Sequence, residues 1–162
     1  MKTLSNLLET VLAKFLVVLM AAIVIDVTWQ VVTRFIMSSP SSFTEEVARF
    51  LLMWIGLMGA AYAYRKHSHL SLDLLMMSAS PANKIRLARF THVISFLFAA
   101  SAMVFGGFML VELTLSLKQT SPALGMPVGL VYLCIPLSGL LICWFALENF
   151  IHPEASLRDT SE

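Results

Sequence analysis

Apolar residues run nearly unbroken through four stretches of the chain, about Val11 to Ile36, Thr44 to Tyr64, Phe90 to Leu117 and Val128 to Phe150. Charged and polar residues gather between them. Each stretch is on the order of twenty residues, the length an α-helix needs to cross the hydrocarbon of a bilayer. The pattern therefore predicts an all-α integral membrane protein with four transmembrane helices. Between the second and third spans, over about residues 65–89, the pattern changes. His69-Leu70-Ser71-Leu72-Asp73-Leu74-Leu75-Met76-Met77 is apolar but too short to cross, and it predicts a short interfacial segment on the membrane surface. Ser80-Pro81 then reads as an N-cap with proline at the first helical position, so the third helix starts there and outlasts the bilayer. Its first two turns are expected to protrude or tilt.

Composition agrees. With 162 residues, 58% of them hydrophobic and 13% charged, and a mean hydropathy of +0.81, a soluble domain of this size has too little interior to hide the apolar surface. Four helices account for most of residues 1–162, which read as a single membrane domain without a linker or internal repeat. Lys2 followed by the apolar run Phe15 to Ile25 resembles a secretory signal, but the apolar pattern continues past Asp26 to Ile36, so a transmembrane helix is expected instead. Cys134 and Cys143 lie nine residues apart in the fourth span. On a helix that is about 13 Å of rise with opposite facing, so they cannot pair. A net charge of +1 accompanies no basic tract, and no nucleic-acid partner is expected.

Basic residues fix the expected orientation. Lys2, Lys14, Arg65, Lys66, Lys84, Arg86, Arg89 and Arg158 fall on the side of the termini and the central loop, and Arg34, Arg49 and Lys118 on the other. That asymmetry places both termini in the cytoplasm. Tyr62 and Tyr64 before Arg65-Lys66, Trp144 and Phe145 at the close of the fourth span, and Tyr132 near its start read as interfacial anchors. Lys84, Arg86 and Arg89 suit anionic lipid headgroups.

Polar residues inside the spans are where chemistry is sought, because an ionisable group in hydrocarbon is costly. Asp26, Gln30, Thr33 and Arg34 share one helical face within about 100° of arc. That face is either a polar pathway or a surface turned to a partner. In the first turn of the second helix, Ser42 with Glu45 spells a capping box, Glu45 and Arg49 form an i,i+4 pair, and Glu46 favours the positive helix end. Together with Arg34, Glu112 and Lys118 these charges are expected to pair with one another near the periplasmic surface. His67, His69 and His92 are candidate ligands for haem or another metal, a weak signal in a charged interfacial turn, and no cofactor is expected. No phosphate-binding loop, cysteine cluster, HExxH or serine nucleophile pattern occurs, so no enzyme is expected. Small residues four apart, Gly56 with Ala60, Gly59 with Ala63 and Ala102 with Gly106, let helices approach closely, either within the chain or against another membrane subunit. Trp54, in mid-span, fits a packed contact in either case.

The run Phe43-Thr44-Glu45-Glu46-Val47-Ala48-Arg49, then Trp54, Gly59-Ala60-Ala61, Arg65 and His69-Leu70-Ser71-Leu72-Asp73 resembles the small membrane subunit of tripartite ATP-independent periplasmic (TRAP) transporters, the DctQ-like small permease family. Phe43 stands where the family commonly has tryptophan, and Ser68 where glycine is usual. The resemblance implies a three-part uptake system of the bacterial inner membrane. A periplasmic solute-binding protein captures a carboxylate solute such as a C4-dicarboxylate or sialic acid. A large multi-span membrane subunit then carries it inward on an ion gradient, sodium being the expected ion, and this subunit scaffolds the large one. On that resemblance Glu45, Glu46, Arg49, Trp54, Gly56, Gly59, Ala60, Arg65, His69 and Asp73 are expected in a partner interface or a structural motif. An autonomous small transporter or channel, and a haem-binding electron-transfer subunit, are the competing readings.

Overall fold

A computed structural model of the chain describes residues 2–36, 42–66 and 81–151. Helix α1 covers Lys2–Ile36 and α2 covers Ser42–Arg65. The third span is one continuous helical rod of three parts: α3 (Pro81–Phe98), a π-helical stretch (Ala99–Phe105) and α4 (Gly106–Ser116). The fourth consists of α5 (Val128–Tyr132) and α6 (Cys134–Ile151). Four helical spans, Thr3–Ile36, Ser42–Arg65, Arg89–Ser116 and Val128–Ile151, are long and apolar enough to cross a membrane. The protein is an all-α, four-span membrane protein.

Helix α1 begins nine residues before the apolar run that announces it. No glycine or proline interrupts Lys2–Ile36, so nothing in the backbone stops the helix short of its start. The extra turns carry Ser5, Asn6 and Glu9. The fourth span is a single apolar run in sequence but breaks at Leu133 in the structure. Pro136 supplies the reason, since it has no N–H to donate to the carbonyl of Tyr132, the last residue of α5, four positions earlier.

The helices pack in a continuous pattern, α1 on α2, α2 on α6, and α6 on both α3 and the π-helical stretch. Leu12, Met58, Ala61, Tyr64, Phe145 and Ala146 form the buried core where α1, α2 and α6 meet, with Trp54 packed against it. Trp54 also meets Phe15 edge to face at 6.0 Å between ring centroids. The closest helix approaches use glycines of the second half of the chain. A Cβ on Gly139 would lie 2.7 Å from Met103 Cβ, one on Gly107 2.9 Å from Pro136 Cδ, and one on Gly129 2.6 Å from Leu115 Cγ. The glycines of α2 behave differently, for a Cβ on Gly56 or Gly59 would meet nothing within 4 Å. Cys134 and Cys143 are both free thiols.

Candidate functional site

The first turns of α1 and the last turns of α2 and α6 converge on one end of the bundle. Arg65, the last residue of α2, lies at the centre. Its Nε donates to Glu9 Oε2 at 3.2 Å, its Nη1 to Glu148 Oε2 at 3.2 Å and its Nη2 to Asn6 Oδ1 at 3.2 Å. The guanidinium also stands over the Phe145 ring, 5.6 Å from its centroid. Beside it, Lys66 pairs with the second oxygen of Glu9. The Glu9 carboxylate holds the Lys66 ammonium above the ordinary lysine range, first by hydrogen bonding and then by charge. Trp144 Nε1 donates to Ser5 Oγ at 3.0 Å, closing the same ring of contacts between α1 and α6. Tyr64 Oη and His92 Nδ1 are hydrogen-bonded at 2.9 Å, which ties α3 to the group. One cation thus serves three helices, and Glu148 is only 5% exposed.

Of these partners, the sequence points to Arg65 as part of a structural motif and to His92 as a candidate metal ligand. Glu9, Asn6, Ser5 and Glu148 come to light in the structure. Glu148 carries a signal a sequence reader can use, because it is the one acid in the apolar run Cys134–Ile151 and calls for a partner. Glu9 and Asn6 lie in turns preceding the apolar pattern, and only the unbroken helix brings them level with Arg65. His67, His69, Ser68 and Asp73, and the surface segment predicted around them, lie outside the described residues.

At the opposite end, Glu46 organises the connection between α4 and α5. Its Oε2 accepts from the Ser121 hydroxyl and from the backbone N–H groups of Ala123 and Leu124, both at 3.0 Å. The loop turns on two residues with positive φ, Lys118 (50°) and Gly125 (65°), and is closed by a bridge between Thr120 and Pro127. Glu45 and Arg49 form the expected i,i+4 pair at 2.9 Å, on the surface. The wider charge cluster does not assemble: among the described residues Arg34, Glu112 and Lys118 make no ion pair. Glu46 has been taken by the loop amides, which satisfy it with directed donors in place of a surface cation. Ser42 is itself the first helical residue, so the cap position falls at residue 41, outside the described residues.

Along α1, Asp26 and Gln30 are half-buried and Thr33 is buried, whereas Ile25, Val27, Thr28, Trp29 and Val31 around them are exposed. The polar stripe faces the protein and the apolar side faces away. Thr33 donates back to the Gln30 carbonyl at 3.0 Å, and Arg34 is exposed. One oxygen of Asp26 is buried without a hydrogen-bond partner among the described residues. Gly56 and Ala60 are exposed and Gly59 is half-buried, so the small-residue face of α2 remains unfilled by this chain.

The family model for the DctQ component of tripartite ATP-independent periplasmic transporters matches residues 23–155. Similar proteins carry related names. A provisionally named TRAP transporter small permease protein of Haemophilus influenzae is 27% identical over 151 residues, covering 93% of this chain and 92% of that protein. The sialic acid TRAP transporter small permease protein of Vibrio cholerae is 28% identical, covering 82% of this chain and 80% of the relative. An isethionate TRAP transporter permease protein of Oleidesulfovibrio alaskensis is 29% identical over 130 residues, which are 76% of this chain but only 20% of that much longer polypeptide.

Proposed function

Since the chain belongs to the DctQ component of the tripartite ATP-independent periplasmic transporters, we propose that it is the subunit that braces a large multi-span partner during solute uptake. It is a small permease subunit of a transporter and a multi-pass protein of the inner membrane. Three finer assignments extend that identity. The large partner moves a carboxylate solute inward on an ion gradient, with sodium as the ion. A periplasmic binding protein delivers the solute. Both chain termini face the cytoplasm.

The observation that carries the bracing role is the Arg65 node together with the outer face of α1. A brace must resist deformation, and one guanidinium joining α1, α2 and α6 couples three helices through charge-assisted hydrogen bonds. A brace must also present surface to what it holds. Val17, Val18, Val24, Ile25 and Trp29 along α1 are all exposed, and the open glycine face of α2 admits close approach of another helix. The long Oleidesulfovibrio polypeptide supports a large membrane partner, because a segment like this chain is there part of one much longer permease. The relatives' solutes differ, sialic acid in one and isethionate in another, which fits a subunit whose residues do not select the solute.

The test is recovery of the chain, tagged at its C-terminus, from native membranes in mild detergent, followed by mass spectrometry. A stoichiometric large membrane protein is the expected companion. Recovery of the chain alone, under conditions where the Arg65 node keeps it folded, would overturn the bracing role. The orientation is checked by a reporter fused after Lys118, expected to be active on the periplasmic side.

A further inference from the structure

Toward the Arg65 end of the bundle, on the outer side of α3 and α6, lies an apolar groove of about 200 Å³. His92, Val93, Phe96 and Leu97 form one wall and Leu147 and Phe150 the other. Val93, Phe96, Leu97, Leu147 and Phe150 are all partly exposed, so the groove opens to the surroundings of the bundle. Among the described residues its lining exposes no polar surface to a guest. The one polar side chain among its described lining residues, His92, is turned to the Tyr64 hydroxyl through Nδ1.

The rim of the groove is different in kind. Arg86 and Arg89 precede Val93 by seven and four residues, and Phe96 and Leu97 follow Arg89 by seven and eight. At 3.6 residues per turn these positions form one stripe along α3. Both arginines are exposed, and among the described residues neither makes an ion pair. The helix runs from the two cations into the groove within about two turns, or roughly 11 Å. Phe150, near the end of α6, lies on the opposite wall. Two guanidinium groups without an ion pair among the described residues, one to two turns before a groove whose described lining exposes no polar surface, match an amphiphile with an anionic head and a hydrocarbon tail.

We propose that this groove is a seat for one anionic phospholipid, its phosphate between Arg86 and Arg89 and one acyl chain against Val93, Phe96, Leu97 and Phe150. Guanidinium groups suit the phosphate because their fork of N–H donors matches its oxygens. The tail displaces nothing well ordered, since the walls hold no polar group that needs water. This seat is independent of the bracing role: it uses the face of α3 and α6, not α1 or the glycine face of α2.

Native mass spectrometry of the full-length chain, released from detergent with equimolar phosphatidylglycerol and phosphatidylcholine present, tests the proposal. The wild type is expected to retain one phosphatidylglycerol in preference to phosphatidylcholine, with each arginine contributing about fivefold. R86Q with R89Q, both exposed positions that leave the helix intact, should abolish the preference. Val93→Trp should fill the groove and lower retention of both lipids, with the elution profile reporting that the protein remains folded. Equal retention of the two lipids by the wild type would overturn the proposal. So would a preference untouched by the double substitution. If Val93→Trp left lipid retention unchanged but cost the large companion in the pull-down, the groove would be a protein contact instead.

Discussion

Arg65 is largely shielded from solvent, and the carboxylate of Glu148 opposite it is more so. Removing the cation would leave that carboxylate buried without compensation, which in such pairs costs about 3–5 kcal/mol. Arg65→Leu is therefore expected to lower the unfolding midpoint in detergent strongly, and Arg65→Leu with Glu148→Leu to recover much of the loss. Measuring both variants by thermal unfolding separates a stranded charge from lost packing on Phe145. Lys66 gives a smaller, pH-dependent effect, because it is half-exposed and Glu9 raises its folded-state value. Its contribution is fully present below the ordinary lysine value of about 10.4 and disappears as pH rises through the higher folded value. The stability difference between wild type and Lys66→Met should accordingly stay level from neutral pH upward and shrink only in strong alkali. A difference that already vanished by mildly alkaline pH would show that Lys66 acts through packing of its stem.

At the scale of elements, apolar runs of the right length are enough to spell out the four spans and the all-α class, and the patterned residues from Phe43 to Asp73 point to the family. Other features depended on contacts that no run of residues spells out. The break at Leu133 follows from Pro136 but is hidden in a run that stays apolar throughout. The π-helical stretch leaves no composition mark: the N–H of Gly106 reaches the Ser101 carbonyl as well as that of Met103, and the widened turn rests against Gly139. The glycines make the contrast sharpest. Spacing drew attention to Gly56 and Gly59, yet Gly107, Gly129 and Gly139 have the close neighbours. Gly139→Ala should destabilise the chain by about 1–3 kcal/mol, since Met103 and the Val104 backbone cannot both retreat. Gly56→Ala, at a helix-interior position with open space, should not lower the midpoint in the same unfolding measurement. Gly56→Leu is expected to lower recovery of the large companion without altering the unfolding midpoint. Unchanged recovery would assign that face of α2 to lipid.

For the whole molecule, the Arg65 node bears on how the chain is made as well as on how it stands. Glu9 and Arg65 are separated by 56 residues, and Arg65 and Glu148 by a further 83. In chain order Glu9 comes first and has its cation once α2 is made, so this pair is complete within the opening two helices. The last helix arrives much later and carries one acid near its end, a carboxylate that is buried in the folded chain. It finds a guanidinium already held in place by α1. Docking of the final span against the first two thereby closes the charge balance of the bundle, because the buried Glu148 carboxylate has its cation only where α1 and α2 already hold Arg65.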